Sequence, residues 1–253
     1  MEGRARGWRF AGDARTLEKR QQASADVHET DTGDSIIQAV FERQEMLRVT
    51  AALAEAPISR TKAGARHVLS VPVVHELARD SRLLEIAAPF VGASAVPFRA
   101  TLFDKSPASN WLVVWHQDTA LPLRARVNDA SRGPWSVKSG VLYAHAPASA
   151  LATVIAVRVH LDDSTAANGP LRVLPGTHSQ GVLSDEDIER LARNVTPVDC
   201  VAPAGGVIAM RPLTIHASSK ASDGNRRRVL HIEYAAAVHL GSGIELVNGR
   251  EDR

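Results

Sequence analysis

Apolar residues fall into two regimes along this chain. Between residues 35 and 56, Ile36, Ile37, Val40, Phe41, Met46, Leu47, Val49 and Leu53 recur at the spacing of one helix face. The pattern predicts a helix over 35–56, capped by Asp34 or Ser35. A loop with Gly64 is expected over 60–69, then short helices over 73–78 and 81–90, with Pro89 near the end of the second. From Ala95 onward the apolar stretches shorten and fill with Val, Leu, Ile and Trp. Segments 96–103, 110–116, 154–161, 171–174, 207–210 and 229–234 read as strands. Turn signals separate them, among them Ser106-Pro107, Asn168-Gly169-Pro170, Gly205-Gly206 and Asp223-Gly224-Asn225. One helical interruption is expected over 184–193, with Asp185, Glu186 and Asp187 at the end where the helix dipole favours them.

Helices first and antiparallel strands after predict an α+β fold. Its core would be a double-sheet jelly roll, cupin-like, with the N-terminal helices packed on one sheet. Residues 1–33 are polar and read as a loose leader with a short strand around 8–10; 34–94 would be helical support, 95–236 the core and 237–253 a tail. With no linker-like stretch in the middle, 253 residues are expected to form a single domain.

Composition narrows the function classes. Hydrophobic residues make up 44% of the chain, enough for a sizeable core. A net charge of +2 gives no electrostatic footprint for nucleic acid. The single cysteine, Cys200, sits in an apolar stretch and has no partner for an internal disulfide, which fits a reducing compartment. The charged N-terminus lacks the apolar core of a secretory signal. No run approaches the roughly 18 apolar residues of a membrane span. The expectation is a soluble, cytoplasmic, globular protein with a small-molecule substrate and no nucleic-acid or membrane partner.

The chemistry centres on the strand that ends in His116-Gln-Asp118. Residues two apart in a strand share a face, so an imidazole and a carboxylate leave the sheet together. His216, just past the apolar segment 207–210, is the best candidate for a third ligand. Two His and one carboxylate on adjacent positions form the facial triad of non-haem Fe(II) oxygenases, which leaves metal positions open. His-x-Asp alone is a weak signal, since a strand end with a solvent-facing Asp looks the same. Arg226, Arg227 and Arg228 enter the strand 229–234, and alternation sends Arg227 one way and its neighbours the other. An Arg beside His216 would take a carboxylate bidentately, whereas a solvated basic run is the default reading of three consecutive Arg. His145, His160 and His178 stay ambiguous; His178, in Pro-Gly-Thr-His, reads as architectural, as does Asn168-Gly-Pro.

Taken in order, Trp115-His-Gln-Asp118, Arg158-Val-His-Leu-Asp162, Asn168-Gly-Pro-Leu-Arg-Val-Leu-Pro-Gly-Thr-His178, His216-Ala-Ser218 and Arg227-Arg-Val-Leu-His-Ile-Glu-Tyr234 resemble the phytanoyl-CoA dioxygenase family of Fe(II)/2-oxoglutarate-dependent oxygenases. Each motif is weak; all of them in the family's order are specific. The resemblance implies a double-stranded β-helix core, Fe(II) on His116, Asp118 and His216, and O₂ and 2-oxoglutarate as cosubstrates. It implies Arg227 on the distal carboxylate of 2-oxoglutarate, assisted by Ser218. By the same resemblance Trp135 contacts the cosubstrate, and Lys105 and Asn110 line the pocket. In related halogenases a small residue replaces the carboxylate, so Asp118 argues for hydroxylation. The long stretch 120–138, carrying Arg124, Arg126, Arg132 and Lys138, is expected to be a lid loop. Two other readings keep the jelly roll: a cupin-like isomerase or hydrolase with a Lewis-acid metal, and a non-catalytic binding module.

Overall fold

The computed structural model describes residues 34–37 (backbone only), 39–126, 133–241 and 243–248. The expected leader over 1–33 and the end of the tail lie outside them. In chain order the elements are β1 (Asp34–Ile37), α1 (Arg43–Glu55), β2 (Gly64–Ala65), α2 (Pro72–Leu77), α3 (Ser81–Val91), β3 (Val96–Lys105), β4 (Val113–His116), β5 (Ala120–Leu123), β6 (Trp135–Lys138) and β7 (Val141–His145). Then follow α4 (Ala148–Leu151), β8 (Val154–His160), β9 (Leu171–Val173), α5 (Asp185–Asn194), β10 (Val198–Cys200), β11 (Val207–Met210), β12 (His216–Ser218) and β13 (Arg227–Ala235). The result is a mixed α+β architecture of antiparallel sheets with helices at its N-terminal side. Among the described residues no helix is long and apolar enough to cross a membrane.

The predicted helix over 35–56 divides in two. Its first residues form β1, paired antiparallel with β11 from Asp34 opposite Met210 to Ile37 opposite Val207. That pairing satisfies backbone groups across a long sequence separation, which a local apolar period cannot register. The helix starts only at Arg43, so neither Asp34 nor Ser35 caps it. Glu42 does, in a reciprocal capping box with Glu45. The expected 60–69 loop also contributes β2, which pairs with β3.

A six-stranded sheet runs in the order β1-β11-β8-β13-β3-β2, and a four-stranded one in the order β10-β9-β12-β4. Strand alternation divides the large sheet into two chemically different faces. Ala100, Leu102, Ile155, Val157, Val159, Leu230, Ile232 and Tyr234 form one buried cluster with residues of α1, α2 and α3. This is the main core, and the Tyr234 hydroxyl ties it to the helices by donating to Ala78 O at 2.9 Å. The residues between them, Arg99, Thr101, Phe103 and Lys105 on β3, Arg158 and His160 on β8, and Arg227, His231 and Glu233 on β13, belong to the opposite face. There Ile208 and Met210 meet Leu171, Val173 and Cys200 of the small sheet in a separate apolar cluster. The two sheets therefore face one another, apolar at one part of the interface and charged at the other.

A third sheet, β5-β7-β6, packs with Phe98, Leu151, Leu213, Ile244 and Leu246. It corrects the expectation of one long loop over 120–138. The two ends of that stretch are strands, and Arg124 is tied down, its Nη1 2.8 Å from Glu245 Oε1. Residues 127–132, with Arg132, lie outside the described residues.

Candidate active site

β4 and β12 are neighbours, and His116 and His216 are directly opposed across their antiparallel pairing. Their ring centroids lie 4.2 Å apart. Asp118 follows β4 and is anchored by its own backbone, whose N–H donates to Pro212 O at 2.9 Å. Its carboxylate reaches both rings: Oδ1 is 3.8 Å from His116 Nε2 and Oδ2 is 3.5 Å from His216 Nε2. One ligand atom from each residue lies within 4.8 Å of the others.

The tautomers are set from behind. His116 Nδ1 is 2.8 Å from Val114 O, and His216 Nδ1 is 2.9 Å from Thr214 O. A carbonyl only accepts, so each Nδ1 carries the proton and each Nε2 presents a lone pair toward Asp118. Burial, opposed by Asp118 and aided by His116, lowers the His216 imidazole to about 4, so it is neutral at physiological pH. Burial works against charge on Asp118, but His216, His231, His116 and Arg99 outweigh it and hold the carboxyl well below the usual carboxylate range. Two imidazoles anchored through Nδ1 with Nε2 turned inward, and one carboxylate, are the donor set that Fe(II) takes in a facial triad, so the residues fit the metal the resemblance implies. The His116 and Asp118 side chains keep 36% and 31% of their surface exposed, which leaves the far side of the triad approachable.

Gln117, between the two ligands, was not singled out by the sequence. It points the other way and is buried, its amide nitrogen donating to Gly181 O and Leu213 O at 2.8 Å and its oxygen accepting from Leu183 N at 2.9 Å. These bonds pin the end of β4, and with it the direction in which His116 and Asp118 leave.

The second half of the site lies between β3, β13 and β12. Arg227 is 2% exposed and Lys105 is 1% exposed. They are opposed across the β3–β13 pairing, and both reach Ser218 on β12. Lys105 Nζ donates to Ser218 Oγ at 2.9 Å, Arg227 Nη2 reaches the same oxygen at 3.4 Å, and that hydroxyl donates to Gly169 O at 2.9 Å. Lys105 also donates to Ser219 O. Neither cation has an acidic partner among the described residues. Burial, then the proximity of Arg227, pulls the Lys105 ammonium down to about 8. Burial, then Arg158, pushes Arg227 down to about 9. An arginine stays protonated in a protein, so that push reflects how poorly the buried surroundings, with a second cation near, suit the charge. An anion bound between the two would relieve both.

The neighbours of Arg227 behave as alternation requires. Arg226 is exposed and forks onto Asp104 at 2.6 and 2.8 Å, and Arg228 forks onto Asp162 with both contacts at 2.7 Å. Arg228 is half-buried rather than fully solvated. The amide of Asn110, which was expected to line the pocket, clamps Ala221, accepting from its N–H at 2.7 Å and donating to its C=O at 2.8 Å. That clamp holds the segment that carries Ser219. Trp135 starts β6 in the third sheet, partly buried against the core of Phe98 and Leu121, with the Arg126 guanidinium 5.3 Å from its ring centroid. The strand alternation that placed Arg227 also places His231 and Glu233 on its face, a signal left unused. Glu233 takes Arg99 in a buried fork.

His145, His160 and His178 are not part of the ligand cluster. His160 is buried with Nδ1 3.3 Å from Gly206 O, and burial with nearby Arg158 and Arg227 lowers it to about 3. His145 is exposed at the end of β7, its Nδ1 2.8 Å from Thr119 Oγ1. His178 falls in the 3-10 turn Thr177–Gln180.

Comparison with known proteins places the chain in a family. A sequence model of the family described as "Phytanoyl-CoA dioxygenase (PhyH)" matches residues 11–229. An L-proline trans-4-hydroxylase of Streptomyces griseoviridis is 26% identical over 188 residues, which cover 64% of this chain and 62% of that protein. The chain thus spans less than two thirds of that relative's length. Among solved structures, AviO1 from Streptomyces viridochromogenes Tue57 aligns with a TM-score of 0.59 at 22% identity, over 85% of this chain and 94% of that one. Apo EctD from S. alaskensis aligns with a TM-score of 0.62 at 22% identity, over 92% and 81%. EctD has also been solved with bound Fe, and with 2-oxoglutarate and 5-hydroxyectoine.

Proposed function

The chain belongs to the phytanoyl-CoA dioxygenase family of Fe(II)/2-oxoglutarate-dependent oxygenases, and on that premise we propose that it hydroxylates an unactivated C–H bond of a small molecule. The metal would be held by His116, Asp118 and His216, and 2-oxoglutarate by Arg227, Lys105 and Ser218. We read residues 34–248 as one oxygenase domain whose two facing sheets are the halves of a double-stranded β-helix. The observation that carries the proposal is the juxtaposition of an approachable two-imidazole, one-carboxylate donor set with a buried cation pair that lacks an acid.

When bound, Fe(II) supplies the oxidising chemistry, in which 2-oxoglutarate and O₂ give succinate and CO₂ and one oxygen atom enters the substrate C–H bond. The chain's own residues bind and orient. Val114 O and Thr214 O hold the two imidazoles in the metal-ready tautomer. Arg227 presents a planar fork to the distal carboxylate, with Lys105 as a second charge and Ser218 as a shared hydroxyl that fixes both. Burial of all three excludes water that would compete for that carboxylate. Asp118 fills the position that an exogenous halide would need, which supports oxygenated rather than chlorinated products. The hydroxylase named among the relatives acts on L-proline, which is consistent with a small substrate.

Adding 2-oxoglutarate to anaerobic Fe(II)-loaded protein tests the reading. A weak visible charge-transfer band should appear, and succinate should form once air is admitted. A protein that binds Fe(II) but gives neither band nor succinate would be a Lewis-acid enzyme or a binding module instead.

A further inference from the structure

One buried cation is left over when the proposed metal and cosubstrate sites are complete. Arg158 sits mid-strand on β8, opposite His231 of β13 and Ile208 of β11. It is 6% exposed. Its Nη1 lies 2.9 Å from His231 Nδ1, and its guanidinium lies 5.4 Å from the Phe103 ring centroid. A guanidinium can only donate, so Nδ1 of His231 is the acceptor and the proton of that ring is on Nε2. Burial and Arg158 itself keep His231 uncharged. The contact therefore orients Arg158 without neutralising it. Arg158 Nε is buried with no hydrogen-bond partner among the described residues.

The acids on this inner surface are already committed. Glu233 is forked by Arg99, and Asp118 belongs to the triad. Arg158 lies on the face of the large sheet that is turned to the small sheet carrying His116 and His216, and the Asp118 carboxylate acts on it electrostatically, so the cation belongs to the same inner surface as the metal site. On the reading above, Arg227 and Lys105 would take the distal carboxylate of 2-oxoglutarate, which leaves Arg158 outside that pair of cations. A buried, unpaired charge is costly and is retained where something pairs with it.

We propose that Arg158, oriented by His231, is the substrate anchor of this cavity, and that the molecule oxidised carries a carboxylate which Arg158 grips while the metal faces its C–H bond. The inference rests on the Fe(II)/2-oxoglutarate reading above. Lys138 adds to the same bias. It approaches the Tyr143 ring at 5.0 Å, Asp118 acts on it electrostatically, and burial together with Arg66 and Arg99 disfavours its charge. Among the described residues this inner surface carries Arg99, Lys105, Arg158 and Arg227 against Glu233 and Asp118, a balance that selects an anion and rejects a cation.

Acetate and acetamide have nearly the same size and shape and differ in charge, so they test this directly. Anaerobic Fe(II)-loaded protein is first saturated with 2-oxoglutarate, which occupies Arg227, and then titrated calorimetrically with each. Acetate should bind with one-to-one stoichiometry and acetamide at least tenfold more weakly. Arg158→Gln should lose at least tenfold in acetate affinity and keep its 2-oxoglutarate affinity within about twofold. If the Gln protein does not fold, Arg158→Lys, which keeps the charge and loses the fork, should weaken acetate in the same direction. Absence of an acetate isotherm in the wild type, or equal acetate affinity in the variant, overturns the proposal. Loss of 2-oxoglutarate affinity in Arg158→Gln also overturns it, by giving Arg158 to the cosubstrate. Failure of the wild type to bind 2-oxoglutarate at the first step is a separate result, which refutes the underlying reading and not the anchor.

Discussion

Lys105 and Arg227 are directly opposed across the β3–β13 ladder, two buried cations that share one hydroxyl, Ser218, and no carboxylate among the described residues. If their purpose is to hold the distal carboxylate of 2-oxoglutarate, loss of the Arg fork should cost about 1.5–3 kcal/mol. That is roughly a ten- to hundredfold rise in KM for 2-oxoglutarate for Arg227→Lys and Arg227→Ala. Arg226→Ala and Arg228→Ala, which remove forks onto Asp104 and Asp162 instead, should change it little. Initial rates of succinate formation against 2-oxoglutarate concentration decide the point. Equal effects at all three positions would mean a diffuse electrostatic patch.

The lowered Lys105 ammonium predicts a pH dependence for cosubstrate affinity. Burial and Arg227 pull the group down to about 8, protonated below and neutral above. A carboxylate binds the protonated form better, so the Kd for 2-oxoglutarate should be flat below about pH 7 and weaken as pH rises through 8. The limiting slope should correspond to one proton, because bound anion in turn holds the proton on. Anaerobic titrations between pH 6.5 and 9.5 measure it, and Lys105→Met should flatten the curve. A wild-type Kd that does not move across this window would remove Lys105 from the carboxylate site.

Gly169 is a less obvious part of the same site. It has φ +69, and a Cβ there would fall 2.3 Å from Ser219 O and 2.8 Å from Lys105 Nζ. Gly169→Ala should push Lys105 and the Ser219 backbone out of place. The expected result is a several-fold or greater rise in the Kd for 2-oxoglutarate, with Fe(II) affinity unchanged. A variant whose cosubstrate affinity matches wild type would show that this close approach has no bearing on the site.

The triad predicts coupled losses. His116→Ala, Asp118→Ala and His216→Ala should each abolish Fe(II)-dependent succinate formation. They should also lose the thermal stabilisation that the metal gives the wild type, about 2.7 kcal/mol at a hundredfold excess over Kd. Differential scanning fluorimetry with and without Fe(II) under argon reads the second effect independently of turnover. Any one variant that keeps both effects is not at a ligand position.

What the sequence determined by itself is local. Alternation placed His116 with Asp118 on one face and separated Arg227 from Arg226 and Arg228, because a strand's side-chain period does not depend on its partners. The same rule, extended along β13, would have found His231 and Glu233. Turn residues and the order of motifs identified the family. Tertiary structure decided what depends on pairing across long separations. The helical-looking start at 34–37 became a strand because β11 lay beside it, and no local period encodes that. Lys105 became a partner of Arg227 through a register joining residues more than a hundred positions apart. Asn110 found its hydrogen-bond partner in Ala221 for the same kind of reason. Arg158, one basic residue inside an apolar strand, acquired its meaning only when folding placed it beside His231 and left it without an acid. Charge burial is a property of the assembled sheets, and only their packing shows which cation still lacks an anion.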